Sequence, residues 1–440
     1  MKQNKNKKVA FHTLGCKVNQ YDTQSMLEKF LERGYEAVEF HEKADVYIIN
    51  TCTVTGLGDR KSRQMIRRAH RINPDAVIAV VGCYAQTASE EVISIPGVNL
   101  VLGTQDRDKI VDLVEQAKET GTAINAVGDI MKVREFEEIP ISSYEGKTRA
   151  VLKVQEGCNQ FCSYCIIPYA RGPIRSRRPE SVVSEVERLV DAGFKEFVLT
   201  GIHVASYGKD LGDTDLLSLI QSVHSIEGVE RIRLGSLEPT FITQDYVNKA
   251  VELPKLCQHY HLSLQSGSDS VLKRMNRGYT TQQYRQAVDT LRKFMPNVAI
   301  TTDIMVGFPG ESQEEFNETM DFVREIRFSK IHVFQYSPRA GTKAANFPNQ
   351  VAKDLKEQRS RELIELGKEL EKMYFASFLG REEQVLFEEE SKNKKGLYEG
   401  YTQHYIRVAA RGNPQILNEI RPVLLQKIEE NYMLGSIVSN

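Results

Sequence analysis

From residue 9 to about residue 119, short apolar runs alternate with longer polar stretches that can form helices. The runs are 9–14, 46–50, 77–81 and 98–102. Buried β runs separated by helices predict a parallel sheet with right-handed crossovers, so 1–119 reads as an α/β domain of flavodoxin-like type. Residues 120–144 lack periodicity and read as a linker. A second alternation fills 145–375, with strand candidates at 150–154, 196–200, 231–234, 259–264, 299–305 and 331–334. Helical stretches such as 181–192, 281–294 and 314–326 separate them, and a charged helix at 352–373 closes this part. Such βα units predict a partial (β/α)6 barrel whose chemistry sits at the C-terminal ends of its strands. Within 376–440 the pattern changes to short alternating strands at 383–388, 397–401 and 405–409, then a 425–440 tail turning at Gly435. A small β-barrel is expected there.

Composition narrows the setting. The 440 residues are 41% hydrophobic and 27% charged, ordinary for a multidomain globular chain. No apolar run approaches the ~18 residues of a membrane span, and the lysines at 2, 5, 7 and 8 lead into a stretch too short for a signal sequence. A cytoplasmic protein with no membrane partner is expected. The net charge of -1 excludes a bulk polycation, so any nucleic acid must be held by local basic patches. Seven cysteines are too few and too unevenly placed for a disulfide scaffold, which leaves metal binding or thiol chemistry as the reading.

Cys158, Cys162 and Cys165 form a Cys-x3-Cys-x2-Cys run just past the strand candidate 150–154. Three thiolates can bind three irons of a cubane and leave the fourth open, and an open coordination position is what makes a metal centre catalytic. Zinc is the alternative, but it would want a fourth Cys or His nearby, and Cys257, far downstream, reads as core. Cys16, Cys52 and Cys83 each follow a strand of the first domain, where open α/β sheets place their ligands. They are expected to hold a second cluster; the plain alternative is three small buried hydrophobes.

The triplet, its aromatic Tyr164 and its place on the first strand of a βα array resemble the radical S-adenosylmethionine superfamily. That resemblance implies a 4Fe-4S cluster whose open iron is chelated by S-adenosylmethionine, with one electron cleaving the sulfonium to a 5'-deoxyadenosyl radical. With the three N-terminal cysteines and the C-terminal barrel, nearly the whole chain resembles the methylthiotransferases. The family implies two 4Fe-4S clusters and two S-adenosylmethionine: one methylates sulfur at the second cluster, the other yields the radical that opens a C–H bond. Thr13-Leu14-Gly15-Cys16-Lys17-Val18-Asn19-Gln20 and the 166–177 segment containing Tyr169-Ala170-Arg171-Gly172 look most like the branch acting on N6-threonylcarbamoyladenosine beside the tRNA anticodon. The branch acting on isopentenyl-adenosine usually has Gln-Met at Lys17-Val18, and the branch modifying a ribosomal protein aspartate usually lacks the Tyr-Ala-Arg-Gly form. Those two branches are the alternatives, and a non-catalytic RNA-binding protein with structural zinc is the alternative of another class. An electron donor such as flavodoxin or ferredoxin is implied as a partner.

Further residues are expected at the cofactor by their position at strand ends: Tyr164, Thr200, Gly201, Ser236, Glu238, Gln265, Asp303 and Met305, with ordinary barrel packing as the alternative. Arg67, Arg68 and Arg71 on the helix after Cys52, and Arg175 and Arg177 after the triplet, are expected to meet RNA phosphates, although a solvated helix face would explain the first group. Tyr398, Tyr401 and Tyr405 suit base stacking on a barrel that resembles the TRAM domain; they would otherwise be barrel core.

Overall fold

A computed structural model describes residues 7–142, 148–392 and 394–438. The expected boundary at 144–145 lies outside the described residues. The first sheet contains β1 (Lys8–Thr13), β2 (Glu36–Val38), β3 (Val46–Thr51), β4 (Val77–Gly82), β5 (Val98–Leu102) and β6 (Ile124–Asn125), all parallel, in the order β2-β1-β3-β4-β5-β6. Every residue of β3 and β4 is buried, because helices cover both faces of the sheet; this is why these strands read as unbroken apolar runs. The strand order reverses between β1 and β3, the switch point at which doubly wound sheets of flavodoxin-like order bind ligands. Helix α1 (Lys17–Glu32) follows β1, and α2 (Gly56–Ile72) follows β3, its first turn capped by the Thr55 side chain. Strand β6 falls in the stretch read as linker, and Ile130, Ile139 and Ile141 beyond it are buried. That stretch is packed against the domains it joins.

The second unit begins with β7 (Arg149–Glu156), which pairs antiparallel with the two-residue β8 (Arg175–Ser176) and parallel with β9 (Glu196–Gly201); β9 pairs with β10 (Arg231–Leu234). β11 (His259–His261), β12 (Ala299–Val306) and β13 (Lys330–Gln335) form a parallel trio, and the bridges Ile232 to Leu256 and Leu237 to Leu262 join its side of the array to the first group. Helices such as Pro179–Asp191, Thr281–Phe294 and Gln313–Ile326 bury their apolar stripes against these strands. The 259–264 candidate shortens to three residues because the chain beyond His261 leaves the ladder, with the Leu264 amide donating to the Thr302 side chain.

The C-terminal strands β14 (Glu382–Glu390), β15 (Leu397–Thr402), β16 (Arg407–Arg411), β17 (Ile420–Ile428) and β18 (Met433–Ile437) close into a barrel in the order β14-β15-β16-β18-β17. Gly435 is not at a turn. It lies inside β18 opposite Leu425 and Ala410, where a Cβ would come within 2.5 Å of the Val423 side chain and 2.6 Å of the Leu424 carbonyl. The barrel docks on the second unit through arginines: Arg231 donates to the carbonyls of Tyr401 and Gln384, and Arg233 to those of Thr402 and Gln403. Among the described residues no helix is long and apolar enough to cross a membrane.

Candidate functional site

The loop after β7 carries the Cys158, Cys162 and Cys165 triplet, and the segment 274–277 clamps it. Ser163 donates from its amide to Met275 O at 2.9 Å and from its hydroxyl to Arg274 O at 2.8 Å, and Asn276 donates to Phe161 O at 3.1 Å. Arg277 points back at the cysteines: Nη1 donates to the Cys162 sulfur at 3.3 Å, and Nη2 pairs with Glu238 at 2.9 Å. Glu238 also accepts from Gln160 at 3.1 Å and meets His203 at 3.1 Å. Burial opposes its charge, but His203 and Arg277 prevail and hold the carboxyl below its ordinary range. Burial pushes the Cys158 thiol up to about 11 and Cys165 up to about 12, and the neighbouring Cys162 raises both further. Metal ligation needs thiolates, so cation binding here would release protons.

The segments that carry the N-terminal cysteines lie side by side. Gly15, at φ +108°, lies so close to Cys52 that a Cβ there would stand 2.9 Å from Cys52 Cβ and 3.1 Å from its sulfur. Asn19 donates to Leu14 O at 2.7 Å and Thr51 O at 3.0 Å, and the Thr51 hydroxyl donates to Val81 O at 2.6 Å. The turns after β1 and β3 and the end of β4, which runs straight into the helix Cys83–Thr87, are thereby stitched together. Cys16 is exposed, Cys52 half-buried and Cys83 buried. Burial raises the Cys83 thiol to about 12 despite Arg171, whose Nε donates to its sulfur at 3.1 Å.

Arg171 belongs to a buried charge network between the two domains. It pairs with Asp22 at 2.9 Å and Glu156 at 3.1 Å; Lys153 pairs with Asp22 at 2.7 Å; and Arg107 pairs with Asp22 and, at 2.7 Å, with Glu137. Arg339, from the loop after β13, donates to Thr53 and Asp59 at 2.6 Å and holds the Cys52 loop from the other side. Between these ties lies a cavity of about 200 Å³, bordered by Val54 and Thr55 of the Cys52 loop and by Tyr164, Cys165, Gln265, Asp303 and Met305. Two loops with separate cysteines therefore open on one space.

Of the residues expected at the cofactor, Tyr164, Gln265, Asp303 and Met305 line this cavity. Glu238 braces the triplet, and Ser236 lines a second cavity of about 370 Å³. Thr200 and Gly201 end β9, where Gly201 packs against Gln155. Gln155, His203, Arg277 and Arg339 were missed, since nothing in their local sequence marks them, and Arg171, marked by its Tyr-Ala-Arg-Gly word, lies buried at Cys83.

The RNA set divides. Arg67, Arg68 and Arg71 are exposed on α2, and Arg67 and Arg71 line a groove with Arg60 and Arg63. Arg175 and Arg177, expected on an RNA path, are 0% and 1% exposed. Arg175 donates to Pro173 O and Arg171 O, while Arg177 pairs with Glu185 and with Glu138 at 2.9 Å, so neither reaches a phosphate. Tyr398 is barrel core, as the alternative had it. Tyr401 and Tyr405 stack on each other at 4.8 Å with Arg149 over the Tyr401 ring at 4.9 Å, and Tyr405 lies 4.9 Å from His259. Both belong to the contact between barrel and second unit rather than to an open face.

Residues 152–323 match the radical SAM superfamily, and residues 8–103 match an uncharacterized protein family, UPF0004. Over 433 residues, 98% of this chain and 96% of the relative, the sequence is 46% identical to the threonylcarbamoyladenosine tRNA methylthiotransferase MtaB of Bacillus subtilis (strain 168). It is 36% identical to the tRNA-2-methylthio-N(6)-dimethylallyladenosine synthase of Pelotomaculum thermopropionicum over 441 residues, 99% and 98% of the two chains. A radical S-adenosylmethionine methyltransferase from Kitasatospora setae shares the fold, with a TM-score of 0.58 at 14% identity over 78% of this chain and 77% of that one.

Proposed function

The chain belongs to the radical S-adenosylmethionine tRNA methylthiotransferases, and on that premise we propose that it converts N6-threonylcarbamoyladenosine beside the tRNA anticodon into its 2-methylthio derivative. Cys158, Cys162 and Cys165 would hold one 4Fe-4S cluster and Cys16, Cys52 and Cys83 a second. Each set is three free thiols, the number that a cubane with one open iron would take. The observation that supports the reading is the cavity bordered both by Val54 and Thr55, just after Cys52, and by Cys165. A cluster on Cys158, Cys162 and Cys165 would supply the electron for opening the S-adenosylmethionine sulfonium, and one on Cys16, Cys52 and Cys83 would supply sulfur.

The protein's own residues position and enclose that chemistry. Arg277 and Glu238 hold the triplet, and Arg171 holds Cys83 against the second domain. Gln265 is turned at φ +70°, with its backbone bonded on both sides to β12, and faces the cavity beside Asp303 and Met305 as a cofactor contact. The six parallel strands act as a partial (β/α)6 barrel and the C-terminal barrel as a TRAM-like RNA-binding module, while Arg67, Arg68 and Arg71 lie on the helix leaving the Cys52 loop, placed for the tRNA backbone. A cytoplasmic setting with flavodoxin or ferredoxin as reductant completes the reading. Nucleoside analysis of tRNA from a deletion strain tests it: 2-methylthio-N6-threonylcarbamoyladenosine should vanish and its unthiolated precursor accumulate, whereas an unchanged profile would overturn the assignment.

A further inference from the structure

The second cavity, of about 370 Å³, lies inside the strand array and is closed by Tyr401 and Tyr405 of the C-terminal barrel. It adjoins the first cavity: His261, on its wall, meets Asp303, on the wall of the first, at 3.3 Å. Lys17, the residue after Cys16, also lines it. The other cations around this space are paired, Arg149 with Glu388, Arg233 with Glu196, Lys330 with Glu371 and Arg407 with Glu399. Lys17 makes no ion pair or hydrogen bond among the described residues, so an anion entering the cavity finds its charge unspent.

A second polar group borders the same space. His259 is 7% exposed, and its Nδ1 has no hydrogen-bond partner among the described residues. The Thr301 hydroxyl lies 3.1 Å from His259 Nε2 and 3.0 Å from His261 Nδ1. With the other nitrogen of His261 facing Asp303 as a donor, the hydroxyl donates to His261 Nδ1 and accepts from His259 Nε2, which leaves His259 Nδ1 an unpaired acceptor. A buried polar atom without a partner is costly unless a ligand completes it.

We propose that this cavity receives the threonyl end of the modified adenosine, with Lys17 pairing the carboxylate and His259 Nδ1 accepting from the threonyl hydroxyl. That carboxylate exists only if N6-threonylcarbamoyladenosine is the substrate, so this site rests on the reading above and makes Lys17 its specificity-determining residue. An apolar modification of the same adenosine would leave Lys17 without a counter-charge and His259 Nδ1 buried and unpaired, which is a penalty against it.

Binding of labelled anticodon stem-loops to the reconstituted holoenzyme tests the site, using one stem-loop with N6-threonylcarbamoyladenosine and one in which the threonine carboxylate is a carboxamide. The wild type should prefer the carboxylate by about tenfold, the value of one charge-assisted contact. Lys17→Gln should abolish that preference and Lys17→Arg should restore most of it. Iron and sulfide content checks that Lys17→Gln has kept its clusters; if it has not, His259→Phe, remote from the cysteines, decides by weakening both stem-loops several-fold, since both carry the threonyl hydroxyl. A wild type that binds both stem-loops equally while still methylthiolating the first would overturn the site and leave the substrate assignment standing. A preference that survives Lys17→Gln, or binding unchanged by His259→Phe, would also overturn it. Failure to methylthiolate the first stem-loop at all would strike the substrate assignment instead.

Discussion

Arg171 donates from Nε to the sulfur of Cys83 at 3.1 Å, although the two side chains come from different domains. The same guanidinium pairs with Asp22 of the first domain and Glu156 of the second, and it is fully buried. One arginine therefore fixes the loop of an N-terminal cysteine and the mutual position of the domains.

Removing it should be expensive. Arg171→Ala leaves Asp22 and Glu156 with less compensation in a buried site, a loss of about 3–5 kcal/mol on the scale of broken buried ion pairs. Denaturant unfolding should show the loss. Arg171→Lys keeps the charge without the fork that reaches Cys83, Asp22, Glu156 and Asn19 together, so it should recover only part of the stability.

The acid side of the stability curve follows from the same network. Burial works against ionised Asp22 and Glu156, but Arg107, Lys153 and Arg171 outweigh it, so both carboxyls titrate below their ordinary values of 3.8 and 4.5. A carboxyl depressed in the fold adds stability that is complete above its unfolded pKa and fades as pH falls toward its folded one. The stability gap between wild type and Asp22→Asn should therefore be constant from pH 7 to about 5 and shrink below about pH 4. A gap that stayed constant down to pH 3 would count against this account of the interface.

RNA affinity should separate the arginines that sequence alone grouped together. Arg67→Ala and Arg71→Ala should each weaken tRNA binding and reduce the slope of log affinity against log salt by about 0.7–0.9, one phosphate contact each. Arg175→Ala should leave that slope unchanged and lower thermal stability, because its guanidinium is spent on the Pro173 and Arg171 carbonyls.

The two cysteine sets should come apart on substitution. Reconstituted wild type should carry about eight irons, and Cys158→Ala and Cys16→Ala about four each. Cys158→Ala should abolish S-adenosylmethionine cleavage, whereas Cys16→Ala should still cleave it and insert no methylthio group. Iron analysis with 5'-deoxyadenosine quantification distinguishes the two losses.

What could be read from sequence depended on whether a local rule governed the residue. Strands β3 and β4 are buried throughout, so their apolar runs marked their own ends and hence the loops of Cys52 and Cys83. Arg175 and Arg177 misled because charge beside a cysteine motif looks like surface; the groups that bury and satisfy them come from the 138 and 185 regions and from carbonyls, none of it periodic. Gly435 looked like a turn because a glycine's close packing inside β18 and a glycine's freedom in a turn leave the same letter. Arg277 and Arg339 reach the cysteine loops from distant segments, and only the folded chain brings them there.

The most direct measurement is an anaerobic reaction of the reconstituted protein with S-adenosylmethionine, a reductant and two anticodon stem-loops, one threonylcarbamoylated and one isopentenylated, followed by nucleoside mass spectrometry. Methylthio incorporation into the threonylcarbamoylated stem-loop alone is the predicted result. Incorporation into the isopentenylated one, or into neither while S-adenosylmethionine is still cleaved, would contradict the account.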